Sequence, residues 1–300
     1  MSTAIGLTER EAAPADAAAE GGLRLAADVF LENKLALAAA VTFAVIALFC
    51  FVGPLVYHTD QVHTNISQTT RHPGPAHLLG TDDVGYDELG RLMVGGQTSL
   101  EIALGAAAVA VVVGVLWGAI AGFFGGIVDA VMMRVVDAVL AIPALFLLLF
   151  LASITTASVG ILIAVVGLIA WLVPARLVRG ETLSLRTREY VQAVRVMGGG
   201  PLRIILRHIV PNTIGTVIVN ATFQIADAIL VVAALSFLGL GIPPPSANWG
   251  GMLSNGLNYS YAGYWWLVYP PGVAIVITVV CFNFIGDALR DAFEVRLRRR

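Results

Sequence analysis

Six apolar runs set the strongest limit on what this chain can fold into. They cover residues 35–57, 100–124, 131–152, 159–178, 214–240 and 264–289. Each has roughly the 20 residues that an α-helix needs to cross the hydrocarbon core of a bilayer. Only 13% of the residues are charged and the mean hydropathy is +0.83, which excludes one water-soluble domain with a single core. The sequence therefore predicts an all-α, polytopic membrane protein with six transmembrane helices.

The apolar runs divide the chain into a membrane domain and two tails. Residues 1–34 are rich in Ala, Glu, Thr and Pro and lack a secretory signal, so we expect a disordered cytoplasmic N-terminal tail. Residues 35–289 are expected to form the membrane domain, with an outer loop at 58–98 and a cytoplasmic loop at 179–212. Residues 290–300 are expected to form a basic cytoplasmic tail.

The basic residues are distributed unevenly between the two sides of the membrane. They comprise Lys34 and 17 arginines, and all but Arg71 and Arg91 fall on one side if the amino terminus is inside. Because basic residues are retained in the cytoplasm, this distribution predicts that both termini and the 179–212 loop are cytoplasmic. The Tyr and Trp cluster at 259–269 is then expected at the outer interface.

Glycine recurs at every fourth residue in the second apolar run and the turn after it, at Gly114, Gly118, Gly122 and Gly126. Such a strip presents a smooth helix face, and helices in lipid associate mainly through close packing. We therefore expect a tight helix contact here and no chemistry.

The long cytoplasmic loop predicts a short amphipathic helix. Apolar side chains lie on one face at helical spacing, those of Tyr190, Ala193, Val194 and Met197. Gln192 and Arg195 take the other side. A helix of this kind on the inner side of a membrane bundle indicates docking of a soluble partner.

Four residues are expected to set the boundaries of this helix and of a second one. Thr187 can cap the start of the first helix, and the glycines that begin at Gly198 end it. Pro201 suits the first position of the second helix, and Pro211 is expected to stop that helix.

The same segment resembles the coupling loop of permease subunits of ATP-binding-cassette (ABC) importers. The motif of that family reads Glu-Ala-Ala, three residues, Gly, nine residues and Ile-x-Leu-Pro. The matching positions here are Gln192, Ala193, Val194, Gly198 and Pro211. Gln192 and Val194 depart from the pattern, as do His208 and Val210 where the family has Ile and Leu, but the spacing is retained.

Separate motifs extend the resemblance to the peptide and nickel branch of the family and to the C-type member of its permease pair. They lie at 77–85, 133–143, 236–241, 246–250 and 282–291. The resemblance implies the fold of a type I ABC importer permease in a bacterial cytoplasmic membrane. It also implies that the chain forms half of a translocation pathway for peptides, with nickel chelates or other small solutes as alternatives.

The resemblance further implies several partners within the lipid membrane and on both sides of it. A second, homologous permease would complete the pathway as a heterodimer, two cytoplasmic ATP-binding subunits would dock on the coupling loops, and an extracytoplasmic binding protein would deliver the solute. The coupling contact would involve Tyr190, Gln192, Ala193, Val194, Arg195, Met197 and Gly198. The chain's single lysine, Lys34, lacks the glycines of a phosphate-binding loop, so we expect the chain to be non-catalytic and to depend on these ATPases.

Polar residues inside the apolar runs are the candidates for the pathway. Asn220, Gln224 and Asp227 fall on one side of the fifth predicted span, and such groups usually face a bundle interior or an aqueous cavity. They could equally hydrogen-bond a neighbouring helix without touching the solute. Arg134 and Asp137, three residues apart, are expected to form an ion pair that fixes local packing.

No cofactor, metal site or nucleic-acid surface is predicted. Two cysteines, Cys50 and Cys281, lie in apolar runs and make neither a disulfide framework nor a zinc cluster. Four histidines crowd the outer loop, but their spacing matches no site. The predicted spans contain no histidine for an intramembrane enzyme, whereas a secondary transporter or channel stays open as a second class.

Overall fold

The computed structural model describes residues 30–298, with side chains to residue 293, and within this range it is helical and without β-strands. The helices are α1 Lys34–Val56, α2 Glu88–Phe124, α3 Gly126–Leu140, α4 Ala144–Ser153, α5 Val159–Ala170, α6 Leu172–Leu185, α7 Glu189–Val196, α8 Pro201–Ile204, α9 Val210–Leu235, α10 Trp249–Leu257 and α11 Tyr269–Arg298. The all-α prediction is confirmed. The predicted N-terminal tail lies mostly outside the described residues.

Helix lengths and hydropathy agree with as many as six membrane spans. Within residues 30–298, four helical stretches are long and apolar enough to cross a membrane, namely α1, α2, Pro201–Leu240 and Trp265–Phe293. Two helix pairs qualify when each is taken as one span, α3 with α4 at a bend of 81° and α5 with α6 at a bend of 43°. The third and fourth predicted spans are therefore broken helices.

Proline accounts for both breaks. Pro143 directly precedes α4 and has no amide hydrogen with which to continue α3. Pro174 lies in the first turn of α6, so its missing N–H leaves the carbonyl of Ala170 without its usual helical partner. The apolar character of these runs continues across the breaks, which is why hydropathy alone predicted straight spans.

The central element is α2, whose 37 residues make it about 55 Å long. It packs closely against α6 along the predicted glycine strip. A Cβ at Gly118 would lie 2.3 Å from the Ala175 carbonyl oxygen, and one at Gly122 would lie 2.9 Å from that of Arg179. The predicted helix contact is therefore present at these glycines, whereas nothing lies within 4 Å of a Cβ at Gly126.

The start of α2 differs from the prediction, because residues 88–98, expected in the outer loop, are helical. Asp87 caps the helix, with its Oδ1 accepting a hydrogen bond from the Gly90 amide at 2.9 Å. The same carboxylate binds two loop residues through Oδ2, Tyr57 and His77, each at 2.9 Å. These tertiary bonds stabilise a polar helical turn that the hydropathy pattern assigned to a loop.

The helical bundle has two ends, which we name by their residues. The arginine-rich face carries residues 176–212, and the loop face carries residues 57–87 and 241–268. Helix α2 begins at the loop face and ends at the arginine-rich face, where Phe123 packs in a hydrophobic cluster with Val178 and Ile204.

Ion pairs join α3 to α6 near the arginine-rich face. Arg179 donates two hydrogen bonds to Asp129, both at 2.6 Å, and Arg176 donates to Asp137 at 2.5 Å. The predicted pair of Arg134 with Asp137 was therefore wrong, because the bend between α5 and α6 brings Arg176 to Asp137.

Candidate functional site

The short helix α7 lies at the arginine-rich face and is anchored by a residue that the sequence pattern did not single out. Val191 is fully buried in the hydrophobic cluster that contains Phe123, Ile204 and Ile209. Val194 packs against the same cluster and is half-buried. The helix is thus rotated relative to the predicted face, with Val194 pointing towards the bundle and not away from it.

The outer surface of α7 and the next helical segment is apolar. The exposed fraction is 87% for Val196 and 76% for Met197, and Tyr190 and Ala193 are also exposed. Exposed side chains continue beyond the turn with Leu202 and Leu206. A contiguous group of exposed apolar residues on a polar segment is typical of a protein contact surface.

Gln192 and Arg195, which were predicted beside the apolar face, both contact other parts of the bundle. Gln192 donates a hydrogen bond to the Arg186 carbonyl at 2.9 Å, and the Arg195 guanidinium lies over the Phe123 ring at 5.2 Å. Gly198 has a φ of 83°, a conformation that favours glycine. These contacts fix how α7 sits on the bundle.

Arg186 links α7 to the end of α2 and was missed from the sequence. Its Nη1 donates a hydrogen bond at 2.9 Å to the carbonyl of Gly122, in the last turn of α2. That turn has carbonyl groups without helical partners, which a guanidinium satisfies well. Since Gln192 binds the Arg186 carbonyl, a short chain of hydrogen bonds connects α7 to α2.

Two predicted boundaries of this segment were wrong. Thr187 does not cap α7, because its hydroxyl donates to the Ser184 carbonyl at 2.8 Å and Arg188 occupies the cap position without a side-chain bond. Pro211 does not end the second helix, which runs through it into α9. A π-helical turn at Ile205–Ile209 precedes the proline, and such turns accommodate residues that interrupt the α-helical bonding pattern.

The three polar residues predicted for the pathway line one cavity of about 240 Å³ between α9 and the broken helices, and each is in a different state. Asp227 is exposed. Gln224 is buried and donates a hydrogen bond at 2.9 Å to the Ala170 carbonyl, which is the carbonyl that Pro174 leaves open. Asn220 has a buried Oδ1 with no hydrogen-bond partner among the described residues.

Three of the four histidines of the outer loop have separate partners. His77 Nδ1 lies 2.9 Å from Asp87 Oδ2, and the ring of His72 packs on Trp266 with 4.7 Å between centroids. His63 lies beside Asp60, whose pKa falls to about 2 because the His63 and Val62 amides bind its carboxylate. No three His, Cys, Asp or Glu side chains within residues 30–293 are grouped as metal ligands.

Comparison with known proteins identifies the family to which the chain belongs. Residues 114–299, more than half of the chain, match the family described as binding-protein-dependent transport system inner membrane component. The chain belongs to this family. Residues 23–74 match a second family, the N-terminal TM domain of oligopeptide transport permease C. The two matches together confirm the resemblance to ABC importer permeases that the sequence motifs indicated.

Curated relatives within this family are permease proteins by name. The chain is 38% identical over 270 residues to the oligopeptide transport system permease protein OppC of Bacillus subtilis (strain 168), covering 90% of this chain and 88% of the relative. It is 39% identical over 271 residues to OppC of Escherichia coli (strain K12), covering 90% and 89%. It is 34% identical over 268 residues to the dipeptide transport system permease protein DppC of Bacillus subtilis, covering 89% and 84%.

Proposed function

We propose that this chain is one of two membrane subunits of an ATP-driven peptide importer in a bacterial cytoplasmic membrane. The observation that carries the proposal is the similarity along about nine-tenths of the chain to permeases named for oligopeptide and dipeptide transport. The same similarity favours an importer over the secondary transporter or channel that the composition left open. A second permease of the same family would complete the pathway, and an extracytoplasmic binding protein would deliver the peptide.

The arginine-rich face is the cytoplasmic side in this proposal, and α7 is the contact with an ATPase subunit. Exposed apolar side chains on α7 offer a surface to insert into a groove, as amphipathic helices do in protein complexes. Because a helix of eight residues is marginal by itself in water, its attachment through Val191, Gln192 and Arg195 supports a role in transmitting movement. ATP-driven movement of the partner would reach α2 through Arg186 and the hydrophobic cluster around Phe123.

Reconstitution of the complete complex tests the proposed function. The two permeases and the ATPase subunits are placed in liposomes that enclose ATP, and uptake of labelled trialanine is measured with and without the binding protein. We expect uptake that needs both ATP and the binding protein. Uptake without ATP would contradict the proposal, as would failure of the complete system to transport any peptide.

The orientation of the membrane domain can be tested by cysteine labelling. We expect Asn65→Cys to react with a membrane-impermeant maleimide in intact cells and Ser184→Cys to react only after permeabilisation, because basic segments stay in the cytoplasm. Both positions are exposed. Cys50 and Cys281, which are buried free thiols, are first replaced by alanine so that the background is free of thiols. The reverse labelling pattern would show that the orientation, and the importer proposal with it, is wrong.

The pathway residues should separate into a transport role and a packing role. We expect Asp227→Leu to keep the assembled complex stable and to lower uptake at least fivefold, because its exposed carboxylate binds no described neighbour.

Gln224→Leu leaves the Ala170 carbonyl without a partner, so we expect a loss of about 1–3 kcal/mol in stability. Uptake and thermal unfolding of both variants are compared, and unchanged uptake after all three polar residues are replaced by leucine would exclude a pathway role.

A further inference from the structure

A second cavity, of about 350 Å³, lies at the loop face, between the start of α2, the end of α9 and helix α10. Its walls are joined by hydrogen bonds across distant parts of the chain. Arg91 donates to the Pro245 carbonyl at 2.9 Å, and the Trp249 indole donates to the Leu92 carbonyl at 2.9 Å. The Trp249 amide also donates to the Ser99 hydroxyl at 3.1 Å. The cavity is therefore a built feature of the fold with a defined wall.

Three carboxyl groups and one guanidinium line this cavity. Asp82 forms an ion pair with Arg91, 3.5 Å from Oδ2 to Nε, and its Oδ1 accepts from two backbone amides. Asp83 accepts a hydrogen bond from the Tyr259 hydroxyl at 3.1 Å. Burial raises the pKa of Asp82. Burial, and then repulsion from Asp82, raises the pKa of Glu88 well above its usual range. The acidic groups outnumber the single cation in the wall, so a cation bound in the cavity would favour their charged forms.

Two polar side chains of the wall, one of them the third carboxyl, form no hydrogen bond with the described residues. Glu88 is only 2% exposed and lines the cavity, yet its carboxyl forms no hydrogen bond or ion pair with the described residues. The Ser236 hydroxyl is 5% exposed and is also without a hydrogen-bond partner among them. Leaving a buried polar group unpaired costs about 1–3 kcal/mol, and more for a charged one. Two such groups in one cavity indicate a ligand that supplies hydrogen-bond donors and positive charge.

We propose that this cavity binds the primary ammonium group of the transported solute, such as the free amino terminus of a peptide. This inference rests on the proposed function and adds the substrate group that the permease itself recognises. An ammonium ion donates three hydrogen bonds and carries a positive charge. The volume is that of a small-ligand pocket, large enough for an amino group together with its adjoining residue.

The position of the cavity along α9 supports a solute over an inorganic cation. Ser236 follows Asp227 by nine residues on continuous helix, a rise of about 14 Å, so the ammonium site would lie at the loop-face end of the helix that carries the pathway candidates. The carboxyl groups do not form a cluster suited to a metal among the described residues. A peptide held here by its amino group would be positioned at the outer end of the pathway.

Equilibrium binding to the assembled complex tests this inference. The two permeases with their ATPase subunits are placed in lipid nanodiscs without binding protein or ATP, and binding of labelled trialanine is compared with that of N-acetyl-trialanine. We expect the unmutated complex to bind trialanine at least tenfold more tightly. Glu88→Gln should remove most of this difference, and Ser236→Ala should reduce it several-fold. Asp60→Asn, which removes an exposed charge on the same loop face, is the matched control and should change nothing.

Several results would overturn the inference. These are equal binding of both peptides to the unmutated complex, no saturable binding of trialanine, and an unchanged difference in Glu88→Gln at normal thermal stability. If Glu88→Gln does not assemble, Ser236→Ala decides the question alone. Weaker association with the binding protein at unchanged peptide binding would mean that the cavity takes a basic side chain of that protein. The proposed function is tested separately: it would be contradicted if the unmutated complex showed no ATP-dependent peptide uptake.

Discussion

Ala193→Arg is expected to abolish substrate-stimulated ATP hydrolysis and peptide uptake while the permease still folds. Ala193 is exposed on α7, so the bundle has room for the larger side chain. At the proposed interface, however, the long charged side chain would have to enter an apolar groove and lose its hydration, which costs more than such a contact can supply. We expect both activities of the reconstituted complex to fall at least tenfold.

A matched variant separates the contact from a general effect of added charge. Ser184→Arg places the same side chain at another exposed position on the arginine-rich face, outside α7, and should retain most of the activity. Co-purification of the ATPase subunits with each variant reports whether the contact itself is lost. If Ala193→Arg assembled and showed unmutated, substrate-stimulated hydrolysis and uptake, α7 would not be the transmission element.

Gly118→Val is expected to prevent folding of the membrane domain. Its Cβ would lie 2.3 Å from the Ala175 carbonyl oxygen and 2.8 Å from the Arg179 amide nitrogen. Because these are backbone atoms, α2 and α6 could accommodate the side chain only by moving apart along their whole contact. Overpacking of a core typically costs about 1–3 kcal/mol, and separating two long helices adds the loss of their remaining contacts. Thermal unfolding and expression of the chain in detergent measure the effect.

Gly180→Val provides the comparison for this prediction. Gly180 also lies inside α6, but nothing is within 4 Å of a Cβ at that position. Removal of a helical glycine is then neutral or slightly stabilising, since glycine is disfavoured in helix interiors by up to about 1 kcal/mol. Equal stability of the two variants would mean that the approach of α2 to α6 is looser than the backbone distances indicate.

The apolar runs and the glycine strip were predictable because each reflects a property that acts along a single helix. A span must expose about 20 apolar residues to lipid wherever it lies in the bundle, and glycines at every fourth residue share a face of any helix. These rules need no knowledge of neighbouring elements. The all-α fold, the number of possible spans and the contact at Gly118 followed from them.

The orientation of α7 could not be predicted by the same rules. Apolar residues occupy nearly every side of this helix, with Tyr190, Val191 and Ala193 in its first turns and Val196 near its end. Helical periodicity then allows more than one apolar face. The choice is made by the cluster at the end of α2, which buries Val191.

Other differences between the predicted and the observed structure depend on single hydrogen bonds between residues far apart in the sequence. The early start of α2 depends on Asp87, which binds both the helix and the loop. The bend before α6 exposes a carbonyl that Gln224 binds from 54 residues away. The hydrogen-bond partners of Asp87 and Gln224 cannot be predicted from local sequence patterns, because these patterns do not indicate which distant groups come together in the fold.

The unbroken hydrogen bonding of α2 from Glu88 to Phe124 has a mechanical consequence. The helix contains no proline, so it can act as a lever with one end at the Arg186 contact and the other at the loop-face cavity that Glu88 lines. Over a length of about 55 Å, each degree of tilt about the Arg186 end would displace Glu88 by about 1 Å. In the proposed orientation, a rotation of a few degrees at the cytoplasmic end would then be enough to move Glu88 away from a bound amino group and release it.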